Sequence, residues 1–254
     1  SAYPERPLEQ GKAWKEMIHR YAASTLGLLI LIMAALSWRN SQLAHMRVFT
    51  SVLLALVIFQ GLLGMWTVTL LLKPVIVMLH LLGGLTILSL LFWAVLRQQS
   101  HQGLFVSAGN KVLLPFVNIG LFVLVCQISL GGWTSSNYAA LVCPDFPTCQ
   151  GVWWPNMDFK EGFILWRGLG VDYEGGVLHG AARTAIHMSH RIGAIITFIV
   201  LLFVAIQAIR SKLKKLKYSG VAVLILLITQ LSLGVANIKL FLPLSVAVAH
   251  NGVA

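Results

Sequence analysis

The chain of 254 residues is 57% hydrophobic and 11% charged and carries eight tryptophans. Soluble domains lie nearer half apolar and a quarter charged, so this composition suits a chain whose solvent is the bilayer. A net charge of +11 would suit nucleic acid if gathered on one face, but the basic residues stand in short runs between apolar stretches, where membrane topology accounts for them, and no nucleic-acid partner is expected.

The opening SAYPERPLEQ lacks the pattern of a basic, then apolar, then small-residue segment, and is not expected to be a secretory signal peptide. Stretches near the roughly 20 residues needed to cross about 30 Å of hydrocarbon follow at about 14 to 37, 48 to 70, 75 to 96, 112 to 133, 185 to 209 and 219 to 240. A seventh begins at Pro243 or Leu244 and reaches Ala254, about half a crossing at roughly 1.5 Å per residue, so the expectation is a chain cut inside a helix. Arg39 and Arg47, then Arg97 and Lys111, then Arg210, Lys212, Lys214, Lys215 and Lys217 mark three loops as facing the cytoplasm or its equivalent. Lys73, Lys239 and the long loop 134 to 184 fall on the other side, and residue 1 starts outside. Within that loop MDFKEGFILWRGLG mixes aromatic and aliphatic residues with charges, as an interfacial helix would, the alternative being a plain loop.

The chain repeats itself. His19, Gln60 and His80 recur as His190, Gln230 and His250, with offsets of 171, 170 and 170, and MIHRYAASTLG aligns with HMSHRIGAIIT. Such internal symmetry predicts duplication of a helical unit. The reading is an all-α integral membrane protein, a transmembrane bundle of two repeated four-helix halves with about seven helices present and eight expected in the intact protein. The first half-bundle is 1–111, its leading helix expected upstream of Ser1, and the second is 112–254. Helix 112 to 133 carries the glutamine pattern again, as QISLGG from Gln127.

Ionisable side chains inside hydrocarbon cost a few kcal/mol each, so an intramembrane histidine is a functional hypothesis from the start. His19 and His80 stand about 7 to 9 Å inside two parallel spans, and His190 and His250 do the same in the second copy. Two imidazoles at one level on neighbouring helices are what ligation of a haem iron requires; the competing reading is a histidine hydrogen-bonded to a neighbouring helix. Zinc, which prefers four ligands, is a lesser option that would draw in Glu16 and His187. Arg20 and Arg191 each follow the first histidine of a pair and can fork onto haem propionates or snorkel to lipid phosphate.

The two copies differ at one informative position: Glu16 precedes His19 by three residues, where His187 precedes His190. A carboxylate on the helix face of a haem-binding histidine can act as a base or stabilise positive charge; the alternative is an interfacial carboxylate paired with Lys12 or Arg20. Cys143 and Cys149, in CPDFPTC, can be bridged on the side where disulfides persist, either structurally or for redox exchange. Cys126 reads as an apolar filler, and the glycines of GLLG, SLGG and SLGV let helices approach closely.

Taken in order, EMIHRYAASTLG, KPVIVMLHLLGG, QISLGGWTSSNYAALVCPDFPTCQG, HMSHRIGA and LPLSVAVAHNGVA resemble the haem A synthase family of the bacterial and mitochondrial inner membrane over nearly the whole chain. The resemblance implies eight helices in two halves and oxidation of the C8 methyl of haem O to the formyl group of haem A. It implies that His19 and His80 serve the substrate half with Glu16 as catalytic group, and that His190 and His250 ligate the iron of a haem b cofactor. It further implies Cys143–Cys149 as the second half's disulfide, residence in the bacterial plasma membrane as a multi-pass protein, and haem sites toward the outer, periplasmic side. Membrane lipid, haem O synthase, cytochrome oxidase assembly proteins and a second copy of the chain are the expected partners. The competing functions are a dihaem b-type electron-transfer cytochrome and a haem carrier or oxidase-assembly factor.

Overall fold

The computed structural model describes residues 9–101 and 113–254. The helices are α1 (Gln10–Arg39), α2 (Arg47–Thr69), α3 (Pro74–His101), α4 (Leu114–Ser136), α5 (Phe159–Gly162), α6 (Gly180–Ile209), α7 (Lys214–Lys239) and α8 (Leu244–Val253), with a 3-10 turn at Ser41–Met46. Six of them are long and apolar enough to cross a bilayer, and α8 is a shorter apolar helix. Helices suit this role because every backbone group is satisfied within the segment. Hydroxyls inside the spans follow the same rule, as Thr197 donates to the Gly193 carbonyl at 2.8 Å and Ser232 to that of Ile228 at 2.9 Å. Large side chains such as Phe122, 70% exposed, and Ile195, 61% exposed, face outward, where lipid rather than water is the neighbour.

The sequence places the spans correctly but draws them short. Helix α6 starts at Gly180 instead of 185, where Ala182 packs into the core, and α7 at Lys214 instead of 219, since lysine stems can lie along an apolar helix while their ammonium groups reach water. Lys111, counted for orientation, lies outside the described residues, as does the 111/112 boundary between the half-bundles. The interfacial helix is a correction: only Phe159–Gly162, one turn, is helical. Gly162 is packed so close to α6 that a Cβ there would meet the Ala182 carbonyl oxygen at 2.8 Å. Arg167 folds back onto the Glu161 carboxylate and carbonyl, both at 2.6 Å, and Gly168 and Gly170 adopt positive φ. A helix cannot continue through that reversal.

The chain divides into two compact units, one of residues 1–62 and 83–95, the other of 63–82 and 96–254. In the first, Ile30, Leu53 and Ile87 form a buried core beside Phe49, Leu90 and neighbouring aliphatics. The buried Ser37 and Thr50 hydroxyls meet at 2.8 Å, and Arg47 donates from Nε to the Ser37 carbonyl at 3.0 Å, satisfying an acceptor at the end of α1. In the second unit α4 packs on α6, α6 on α7 and α7 on α8. Close approach rests on small residues: a Cβ at Gly220 would meet the Ala205 carbonyl oxygen at 2.7 Å, and one at Gly120 the Leu201 side chain at 3.1 Å. Trp133, Ala139, Leu178, Ala182 and Ile186 form the main core there, with the Trp133 indole N–H bonded to the Gly162 carbonyl at 2.9 Å.

The repeat extends to backbone hydrogen bonds. Leu72 N–H donates to Thr67 O at 2.8 Å and Leu242 to Asn237 at 2.7 Å, while Leu70 donates to Trp66 at 3.0 Å and Leu240 to Ala236 at 2.9 Å. Leu71 and Leu72 on one side, and Phe241 and Leu242 on the other, all have φ between 56° and 60°. Two consecutive non-glycine residues in the left-handed region are unfavourable, and their recurrence 170 residues on marks one turn used twice.

Candidate functional site

The best-defined histidine seat lies between α4 and α6. Gln127 Nε2 stands 3.0 Å from His190 Nδ1 and donates to the His190 carbonyl at 3.1 Å. One turn along α4, a Cβ at Gly131 would lie 3.2 Å from His190 Cε1, so the ring edge occupies the space a side chain would take. Gly193, three residues after His190, is equally constrained, because a Cβ there would overlap Gln127 Oε1.

The same parts recur. A Cβ at Gly234 on α7 would lie 3.2 Å from His250 Cε1, and one at Gly64 on α2 would lie 3.1 Å from His80 Cε1. Gly64 and Gly234 each follow a glutamine by four residues, Gln60 and Gln230, as Gly131 follows Gln127. Gln60 in turn meets Gly83, where a Cβ would overlap its Oε1. Thus α2, α4 and α7 each carry Gln-x-x-x-Gly with the glycine facing a histidine ring. The glutamines are visible in the sequence as a repeated element, but their role is not, because nothing in a single helix says which ring its glycine faces.

His190 stands on α6 and His250 on α8, and both of these helices pack on α7. His190 lies ten residues into α6 and His250 six into α8, about 15 Å and about 9 Å from the starts of their helices. His80, on α3, belongs to the same compact unit as this pair, while His19, on α1, belongs to the other unit. His19 is exposed, as are its helix neighbours Glu16 and Arg20, and those two are joined by an ion pair of 2.5 Å across four residues. The pairing that the sequence left open for Glu16 is therefore made with Arg20.

His187 is buried, with Nδ1 2.9 Å from the Ala139 carbonyl oxygen, and so ties α6 to the chain leaving α4. Among the described residues no three His, Cys, Asp or Glu side chains gather as a metal site would require, which leaves zinc without a ligand set. Cys126 is exposed on α4 rather than filling a core.

The arginine beside His190 has partners that sequence did not suggest. Arg191 Nη1 donates to the carbonyls of Pro147 at 3.2 Å and Thr148 at 2.8 Å, and Nη2 to those of Cys143 at 3.2 Å and Asp145 at 2.8 Å. Each terminal nitrogen carries two hydrogens, so these four carbonyls occupy the outer fork that a propionate would have used. The guanidinium also lies over the Phe146 ring, 5.6 Å from its centroid. The loop it grips is closed by the Cys143–Cys149 disulfide, both residues fully buried.

Asp145 completes the loop from inside. Its carboxylate accepts from the Thr148 hydroxyl, from Gln150 N–H at 2.6 Å and from Gly151 N–H at 3.1 Å. The Thr148 hydroxyl foremost, with those two amides, holds its pKa down from 3.8 to about 2 against the opposing effect of desolvation. A pKa depressed by folding contributes stability that is full above the ordinary value and is lost as pH falls through the folded one. The melting temperature of wild type should therefore exceed that of Asp145→Asn near neutrality, with the gap closing as pH falls from about 4 to about 2. A gap constant over that range would contradict the assignment.

These features define a multi-span helical membrane protein in which α2, α4 and α7 each set a glycine, four residues after a glutamine, against a histidine ring. The chain belongs to the COX15-CtaA family of cytochrome oxidase assembly proteins, whose model matches residues 2–254. It is 44% identical over 252 residues to the haem A synthase of Shewanella oneidensis, covering 99% of this chain and 75% of that protein. It is 25% identical over 245 residues to the haem A synthase of Halalkalibacterium halodurans, 92% of this chain and 73% of that one. With the haem A synthase of Bacillus licheniformis it shares 25% identity over 261 residues, 98% of this chain and 76% of the relative.

Proposed function

We propose that the chain is a haem A synthase, a membrane oxidoreductase that converts the C8 methyl group of haem O to the formyl group of haem A for terminal cytochrome oxidases. The observation that carries this reading is the seating of His190 and His250, each with its ring edge on a glycine, Gly131 of α4 and Gly234 of α7, in a chain of this family. Two imidazoles from separate helices in an apolar span are a donor set that would hold a haem iron. Gln127 Oε1 is buried there without a hydrogen-bond partner, an acceptor suited to the N–H that an imidazole keeps when its other nitrogen binds metal. The residues thus fit haem b in the second half, held by His190 and His250, and when bound it would supply one-electron redox chemistry.

His19 and His80 would hold haem O as substrate. Turning a methyl into a formyl group gains one oxygen atom, at the level of water, and releases four electrons to an external acceptor together with four protons, so it requires a base for the protons that leave carbon. Glu16, one helical turn before His19, is the carboxylate on that face and takes the proton-accepting role. Arg20, its ion-pair partner, fixes the carboxylate's direction and is the arginine available to a propionate, since the outer fork of Arg191 is engaged by its loop. The protein would sit in the bacterial plasma membrane with both sites toward the outer side, receive haem O from its synthase and deliver product to oxidase assembly proteins, in a homo-oligomer or alone.

Pigment extraction from the full-length protein tests the reaction. Haem A should appear only when haem O is supplied, and Glu16→Ala should keep bound haem while losing about a hundredfold or more in haem A formed. Haem b alone under both conditions would identify an electron-transfer cytochrome instead, and undiminished haem delivery by Glu16→Ala a carrier.

A further inference from the structure

We propose that Gln127 is a positioning residue for His190: its side-chain amide fixes the imidazole through Nδ1, so that Nε2 is the atom offered to iron. The inference rests on the assignment of His190 as a haem ligand. Three observations support it. The amide reaches two points of one residue, Nδ1 at 3.0 Å and the carbonyl oxygen at 3.1 Å, which sets the ring's rotation as well as its position. The amide is held against Gly193, where any side chain would collide with it, and the ring is held against Gly131. A glutamine and a glycine recur at the same spacing before His80 and His250, and there too the glycine faces the ring, while the bond from the amide to Nδ1 is made by Gln127.

An amide has a donor and an acceptor of nearly equal shape. With nitrogen toward the ring it donates to Nδ1 and to the His190 carbonyl; turned over, it gives up both bonds, and Oε1, now buried without a partner, accepts from Nδ1–H. The second orientation is the one that leaves the Nε2 lone pair for a metal, and a hydrogen bond accepted from Nδ1–H raises the basicity of the ligand. Glutamine therefore has a function that a merely space-filling residue lacks: it tunes the bound iron.

Redox potentiometry and low-temperature electron paramagnetic resonance of the full-length protein, purified with its haem, provide the test. Gln127→Leu should raise the midpoint potential of the second-half haem and spread its low-spin signal over several ring orientations, or release the haem from a folded protein. Gln127→Glu, which keeps an acceptor at Nδ1, should retain one sharp low-spin signal and lower the potential below wild type. A fully loaded Gln127→Leu with wild-type potential and signal would overturn the proposal, as would loss of fold in both variants, which would make the amide a packing element. Wild-type protein with no haem on His190 and His250 would overturn the ligand assignment as well, so the two failures are distinguishable.

Discussion

His190→Ala and His250→Ala are each expected to empty the second-half haem site, with haem affinity falling by at least about a hundredfold, more than is usual for loss of a residue that only supports a ligand. The helices should survive. Each ring is only half-buried and rests on a glycine, so truncation leaves a shallow gap beside lipid and not a deep cavity in a packed core. His187→Ala makes the informative contrast. That imidazole is buried and bonded to the Ala139 carbonyl, and its removal leaves a buried acceptor unpaired, so it should cost about 1–3 kcal/mol of stability with haem retained. Haem content per protein and thermal melting separate the two outcomes. Full haem b in either His190→Ala or His250→Ala would end the assignment of that residue as a ligand.

The spans were legible because lipid solvation imposes one requirement on every residue of a segment, which a local window captures. Their ends were not, since α6 gains its first turn from Gly180 onward by packing Ala182 and Ile186 against Trp133 and Leu178, contacts far apart in sequence. The duplication could be read from His19, Gln60 and His80 against their counterparts, and the paired left-handed turns at Leu71–Leu72 and Phe241–Leu242 extend it to the backbone. What the sequence concealed was a finer repeat. Gln127 was visible as a third copy of the glutamine, but only the facing of Gly131 onto His190, Gly234 onto His250 and Gly64 onto His80 turns three glutamines into three equivalent hairpins. The interfacial helix failed for a similar reason: composition favoured it, while the positive φ of Gly168 and Gly170 and the return of Arg167 to Glu161 depend on how the segment lies against α6.

Arg191 shows how an adjacent charge can have partners that spacing alone does not reveal, and its replacement has the second large expected effect. Next to a candidate haem ligand, an arginine suggests a propionate, yet its terminal nitrogens hold Cys143, Asp145, Pro147 and Thr148 by their carbonyls. Arg191→Ala removes four charge-assisted hydrogen bonds; water can replace some of them, so a net loss of about 3 kcal/mol is expected. Arg191→Lys should recover little of it, because an ammonium is a point charge without the planar fork that spans four carbonyls. The loop should then loosen, and reduction of the buried Cys143–Cys149 bridge by a small thiol should accelerate by roughly tenfold or more, as opening becomes cheaper. Measuring that rate beside haem retention distinguishes the roles. A residue that holds the loop changes the reduction rate and the melting temperature first, whereas one that holds a propionate weakens haem binding and leaves the bridge as protected as before. Because Arg191 is bonded to His190 through the chain itself, a loosened loop also frees the α6 turn that carries the ligand, and haem loss from Arg191→Ala should follow bridge exposure and not precede it.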